Sequence, residues 1–277
     1  MNGFYWIASY PKSGNTWLRL LLASLRAGGA PVTLDGPLAA FAPRVGTALN
    51  FETHLCVDPT ECSTDELANL FPALVAELAR IRPEPQFSKV HDAWGLTPSG
   101  QPLFPARFTL GSVYVVRDPR DVAVSLAHHH GQDVDQAIAV MARQTAAANS
   151  SRCYPGHIEQ KIGTWSHHVA SWLDSQPPPL LVRYESLRAD PRAELARVAA
   201  HCGLEAGDHA LDGAVAATRF STLQALEEHT VFDMGQAAGS RFFRQGVAGG
   251  WRQSLTATQV ASIERDHGAM MARLGYR

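Results

Sequence analysis

Lys12, Ser13 and Gly14 stand between a β-prone apolar run, Phe4 to Ser9, and the apolar helix pattern of Leu18 to Leu25. Pro11 breaks the run, so the order is strand, tight loop, helix N-terminus. Such a loop turns backbone N–H groups and the positive end of a helix dipole toward an anion. Lys12 adds a full charge, and the implied ligand is a phosphate or a phosphosulfate. The loop is not of the Walker A type: Lys12 precedes its only glycine, and the Gly-Lys-Ser/Thr ending is missing.

Three further constellations could do chemistry. The apolar run Ser112 to Val116 reads as a buried parallel strand that delivers Arg117 at its C-terminal end, where open α/β sheets bind ligands. Asp118-Pro119 starts a helix that carries Ser125 about two turns on. A forked cation and a hydroxyl suit one phosphate. In Lys89-Val90-His91, strand alternation puts Lys89 and His91 on one face. Near the C-terminus, Arg244, Gln245 and Gly246 open a glycine-rich stretch that runs to Trp251 and Arg252.

Tyr10-Pro11-Lys12-Ser13-Gly14-Asn15-Thr16-Trp17 resembles the phosphosulfate-binding loop of sulfotransferases that use 3′-phosphoadenosine 5′-phosphosulfate (PAPS). The chain is similar to the cytosolic type of that family, in its bacterial form, through four ordered motifs from Tyr10 to Arg252. The resemblance makes Arg117 and Ser125 the binders of the 3′-phosphate. It makes Arg244, Gln245 and Gly246 part of the C-terminal signature Arg-Lys-Gly-x-x-Gly-Asp-Trp-Lys, from which Gln245 and Gly250 depart. Loss of that Lys removes a cation, for which Arg241 is expected to compensate in part. Trp17, Tyr184, Thr218 and Phe220 occupy positions that reach the adenine nucleotide in the family.

The family's Lys-x-His makes His91 the catalytic base, with Lys12 and Lys89 beside it. The residue types fit the reaction: an attacking hydroxyl loses a proton to a neutral imidazole. Lys12 neutralises the charge that develops on the leaving bisphosphate. A sulfuryl group carries less charge than a phosphoryl group, so no metal is required. The implied activity is sulfuryl transfer from PAPS to a hydroxyl or amine of a small-molecule acceptor. Two alternatives stay open, a P-loop nucleotide kinase and a non-catalytic nucleotide-binding protein. The first lacks the Walker Lys-Ser/Thr and its Mg²⁺ ligand; the second would need neither Lys12 nor His91.

The chain has 277 residues and a net charge of −2, which disfavours a general nucleic-acid binder. No linker divides it, so residues 1–277 read as one domain. Cys56, Cys62, Cys153 and Cys202 show no CxxC spacing and read as free thiols of a reducing cytoplasm. No leader and no membrane-length apolar run is seen, so a cytoplasmic location without membrane partners is expected. A homodimer is possible, although the family's dimer segment is not evident around Ser254-Leu255-Thr256.

These groups need a scaffold. Strands are expected at 4–8, 86–91, 112–116 and 180–184, and helices at 15–26, 65–81, 133–148, 161–174, 191–202, 208–217, 220–228 and 256–273. The order predicts an α/β fold, P-loop-like in three layers, with a central, mostly parallel sheet flanked by helices. Residues 30–60, 92–110 and 228–240 are expected to be loops and short helices that shape the acceptor pocket. His128-His129-His130 and His167-His168 read as solvated helix positions, since adjacent helical residues diverge and make poor metal sites.

Overall fold

The computed structural model describes residues 2–34, 41–148, 158–230, 236–237 and 240–277. Cys153 and parts of the 30–60 and 228–240 stretches lie outside the described residues. β1 (Phe4–Ser9) leads through the Lys12 loop into α1 (Asn15–Arg26). α2 (Ala48–Leu55) and α3 (Thr64–Ile81) precede β2 (Gln86–Val90). β3 (Thr109–Val116) leads into α4 (Pro119–His130) and α5 (Val134–Met141). Two short strands, β4 (Ala147–Ala148) and β5 (Gln160–Lys161), come before α6 (Trp165–Leu173) and β6 (Leu180–Arg183). Then follow α7 (Tyr184–Ala189), α8 (Pro191–His201), α9 (Asp208–Ala217), α10 (Phe220–His229) and α11 (Ala257–Arg273).

The main sheet has the order β2-β1-β3-β6, and every pairing in it is parallel. Its two faces are read directly from β1. Phe4, Trp6 and Ala8 join a core with Leu74 and Val75 of α3 and Trp165 and Trp172 of α6. Ile7 points the other way, into a core with Leu18, Leu21 and Leu22 of α1 and Leu195 and Val198 of α8. Helices therefore cover both faces, giving the three layers expected. A slip of one residue would exchange the two sets, so burial fixes the register that sets Ile7 beside Lys89 and Val113. All four strands point their C-terminal ends to one edge, the ligand edge of a parallel sheet.

Local signals stop the helices where capping chemistry dictates. Ser63 and Glu66 form a reciprocal capping box at the start of α3, and Asp133 and Gln136 form another at α5. The expected helix over 133–148 ends early, at Met141. The carbonyl of Ala146 accepts the amides of Ile162 and Gly163, which draws Ala147–Ala148 into an antiparallel pair with Gln160–Lys161. For the same reason the helix expected from 161 begins at Trp165, capped by Thr164. Tyr184 is not the end of a strand; it opens the short helix α7. No helix among the described residues is long and apolar enough to cross a membrane.

Candidate active site

A cavity of about 610 Å³ opens at the ligand edge of the sheet. Each strand end contributes to it: Lys12 and Gly14 after β1, Lys89 and His91 at the end of β2, Arg117 after β3, and Tyr184 after β6. α1 adds Asn15, Thr16 and Trp17, α4 adds Ser125 and His129, and the C-terminal stretch adds Arg244, Gln245 and Gly246.

The Lys12 loop folds as its residue types require. Gly14 has φ of 105°, in the left-handed half of the map, and a Cβ there would lie 2.6 Å from the Tyr184 ring. Asn15 ties the loop to its own strand, donating from Nδ2 to the carbonyl of Ile7 at 2.9 Å. Lys12 itself has φ of 66°, a conformation rare for a residue with a Cβ. Its ammonium lies 3.2 Å from Nδ1 of His129 and 4.0 Å from the centre of the Phe242 ring. Burial and the neighbouring Arg117 lower the Lys12 pKa to about 7. Burial and the Lys12 charge hold His129 down to about 3, so His129 is neutral and accepts the lysine's hydrogen bond.

Arg117 has no ion-pair partner among the described residues, although Asp118 and Asp121 are close in sequence. Asp118 pairs instead with Arg120, at 2.7 Å. The Arg117 guanidinium donates to the carbonyls of Lys12 (3.3 Å) and Val247 (3.0 Å) and lies 4.3 Å over the Tyr184 ring. Its buried Nε has no hydrogen-bond partner among the described residues. A half-buried cation with a donor to spare, in a cavity also lined by Lys12, Lys89, Arg44 and Arg244, is suited to a polyanion. The residues present therefore fit a nucleotide bisphosphate.

His91 is buried at the end of β2. Its Nδ1 lies 2.7 Å from the backbone carbonyl of Ser9, to which it donates, and this leaves Nε2 as the lone-pair nitrogen. Burial, then the charges of Lys89 and Arg44, depress its pKa well below the ordinary histidine value. The ring is neutral at physiological pH, as a proton acceptor must be. Lys89 is buried and its pKa is also lowered, by burial first and then by Arg44, Arg19 and Lys12.

The remaining expected residues divide. Trp17, Tyr184 and Phe220 line the cavity, with Trp17 edge-on to Tyr184 at 6.0 Å. Gly246 has φ of 60° and lies so close to the Phe220 ring that a Cβ would come within 2.3 Å. Ser13 and Thr218 do not line the cavity. Ser13 is fully buried. The Thr218 hydroxyl donates to the carbonyl of Ala214 at 2.8 Å, and only its own carbonyl serves the site, accepting from Trp17 Nε1 at 3.1 Å. Arg241 is turned away to Glu228, at 2.9 Å, so it does not stand in for the missing Lys. The 92–110 loop lines a second, separate cavity around Trp94 and Leu103 rather than this one.

Two histidine readings are corrected. His129 faces the cavity rather than solvent, because it lies four residues after Ser125 on the same side of α4. His168 is wholly buried between Tyr114, whose hydroxyl is 2.8 Å from Nδ1, and the carbonyl of His91, 3.0 Å from Nε2. Its spacing from Trp172, again four residues, was the available signal. His130, exposed at the end of α4, also lines the cavity, and His167 is exposed as expected. Sequence reasoning also missed Arg44, Phe242 and Asp121. Arg44 sits in an irregular stretch with no periodicity to mark it.

The family model described as sulfotransferase domain matches residues 4–275. Sulfotransferase 1A1 of Canis lupus familiaris is 25% identical, over 97% of this chain and 83% of its own length. Sulfotransferase 1B1 of Mus musculus is 25% identical, over 93% of this chain and 79% of its own. Among solved structures, mouse sulfotransferase SULT7A1 complexed with PAP has a TM-score of 0.62 at 20% identity, covering 97% of this chain and 84% of that one. Retinol dehydratase in a complex with retinol and PAP has a TM-score of 0.61 at 18% identity, covering 97% and 81%.

Proposed function

The chain belongs to the sulfotransferase domain family, and we propose that it transfers a sulfuryl group from PAPS to a hydroxyl or amine of a small-molecule acceptor, with His91 as general base. The observation that carries this reading is the hydrogen bond from His91 Nδ1 to the Ser9 carbonyl at 2.7 Å. It holds a neutral imidazole in the tautomer that can take a proton at Nε2, in the same cavity as Lys12 and Arg117.

The donor supplies the sulfuryl group and a good leaving group, the 3′,5′-bisphosphate. Lys12, Arg117, Ser125, Arg244, Gln245 and the Gly246 amide are the groups to bind it, with Trp17, Tyr184 and Phe220 around the adenine. His91 Nε2 takes the proton of the acceptor as its oxygen or nitrogen attacks sulfur. Lys12, assisted by Lys89, meets the charge that grows on the departing oxygen. Burial lowers the pKa of both lysines, and an anion at the site favours their cationic forms. A cavity of about 610 Å³ suits a nucleotide and a small acceptor. A single domain and a cytoplasmic location form part of the same reading.

The test is turnover. Purified protein with PAPS and a panel of phenols and alcohols is expected to release bisphosphate only when an acceptor is present. ATP with Mg²⁺ is expected to give none. Turnover with ATP and none with PAPS would refute the reading.

A further inference from the structure

Arg244, Gln245 and Gly246 belong to a stretch without helix or strand, yet they must meet a phosphate at a defined place. Something rigid has to hold them. The amides of Phe242 and Phe243 donate to the carboxylate of Glu227, on α10, the second of them at 2.9 Å. At the other end, the amide of Gly249 donates to Asp121 Oδ2 at 2.7 Å and the amide of Trp251 to Oδ1 at 2.9 Å. The stretch thus hangs between two carboxylates, each taking two backbone N–H groups.

Asp121 is the more telling of the two. It is 3% exposed, sits in the first turn of α4, and lies four residues after Arg117 and four before Ser125 on that segment. Arg117 closes the arrangement by donating to the carbonyl of Val247 at 3.0 Å. Gly250 faces the clamp bare: a Cβ there would stand 3.9 Å from Asp121 Oδ1 and 2.9 Å from a Val247 methyl. Trp251 is further pinned under Arg120, at 4.0 Å from its ring. Arg120 is itself fixed by Asp118 and Glu264.

We propose that Asp121 is a positioning residue for recognition of the donor's 3′-phosphate: its carboxylate locks Gly249 and Trp251, and thereby aims Arg244 to Gly246 at the anion that Arg117 and Ser125 also bind. The assignment rests on the PAPS reading above. Two charge-assisted hydrogen bonds to backbone N–H groups are a strong and directional tether. A segment displaced by about an ångström loses much of its contribution to binding.

The experiment compares the affinities of 3′-phosphoadenosine 5′-phosphate and AMP, which differ only in the 3′-phosphate, for wild type, Asp121→Asn and Asp121→Glu. Asp121→Asn removes the charge and sets an NH₂ against one amide; Asp121→Glu keeps the charge and displaces it. In Asp121→Asn the preference for the bisphosphate is expected to fall on the order of 10- to 100-fold with AMP affinity unchanged. Asp121→Glu is expected to fall between it and wild type. KM for PAPS should rise accordingly while kcat holds. An unchanged preference in the folded variants, an equal loss of both ligands, or failure of both variants to fold would overturn the proposal and leave Asp121 a residue of the fold alone. Wild type that binds AMP as tightly as the bisphosphate would instead overturn the PAPS reading itself, and the proposal with it.

Discussion

The ammonium of Lys12 lies 3.2 Å from Nδ1 of His129, joining the loop after β1 to the last turn of α4 across 117 residues of sequence. Lys12 is a cation whose proton is loosely held: burial and Arg117 bring its pKa to about 7, while His129 stays neutral and accepts. An anion at the site restores the proton.

Binding of the bisphosphate is therefore expected to depend on pH. Well below pH 7 Lys12 is already charged and affinity is flat on this account. Above about 7 each binding event must take up a proton, so affinity falls by up to about tenfold per pH unit. Stability runs the other way: unfolded Lys12 holds its proton up to 10.5, so the free protein gains stability as pH rises from about 7 toward 10.5. Calorimetry in buffers of different ionisation enthalpy measures the proton uptake directly. Lys12→Arg should remove it, and the same affinity at pH 7 and pH 9 in wild type would contradict the assignment.

Among the described residues Arg117 touches two loops and no carboxylate, so its loss should be felt by the ligand. Arg117→Ala is expected to weaken bisphosphate binding by on the order of 2–5 kcal/mol, the scale for deleting one partner of a buried charge pair. The protein should still fold, since what is lost is two hydrogen bonds to carbonyls and the contact with the Tyr184 ring. Wild-type affinity by calorimetry would reduce Arg117 to a bridge between the Lys12 and Val247 backbones.

Gly14 tests the loop geometry. Gly14→Ala must fit a Cβ at a φ of 105° and 2.6 Å from the Tyr184 ring, which cannot yield without leaving Arg117. A destabilisation of about 1–3 kcal/mol in denaturant unfolding is expected, together with loss of bisphosphate binding. A variant with wild-type stability and affinity would show that the loop is not held against Tyr184 in solution.

Much of this site was legible because its parts are local. Lys12 to Trp17 and Arg117 to Ser125 each lie on one strand-to-helix junction, where periodicity, a proline and a capping residue mark the turn. The main sheet followed from continuous apolar runs. What the sequence hid is long-range. Asp121 meets Gly249 across 128 residues, and nothing in either segment announces the other. The end of α5 at Met141 depends on the Ala146 carbonyl finding Ile162 and Gly163. His129 and His168 were obscured by their neighbours: a run of histidines reads as polar surface, although the four-residue spacing to Ser125 and Trp172 already separates inward from outward positions. Thr218 matched a motif by position, but its hydroxyl satisfies its own helix.

The central claim is that His91 accepts the acceptor's proton, and single-turnover sulfuryl transfer from PAPS by His91→Ala tests it most directly. With an acceptor found in the phenol and alcohol panel, the variant is expected to bind the bisphosphate as wild type does and to transfer about 10²–10⁴ times more slowly. Wild type should keep its rate on the acid side of neutrality, because burial, Lys89 and Arg44 hold the His91 pKa well below the usual value. Transfer by His91→Ala at the wild-type rate between pH 6 and 9 would contradict the account.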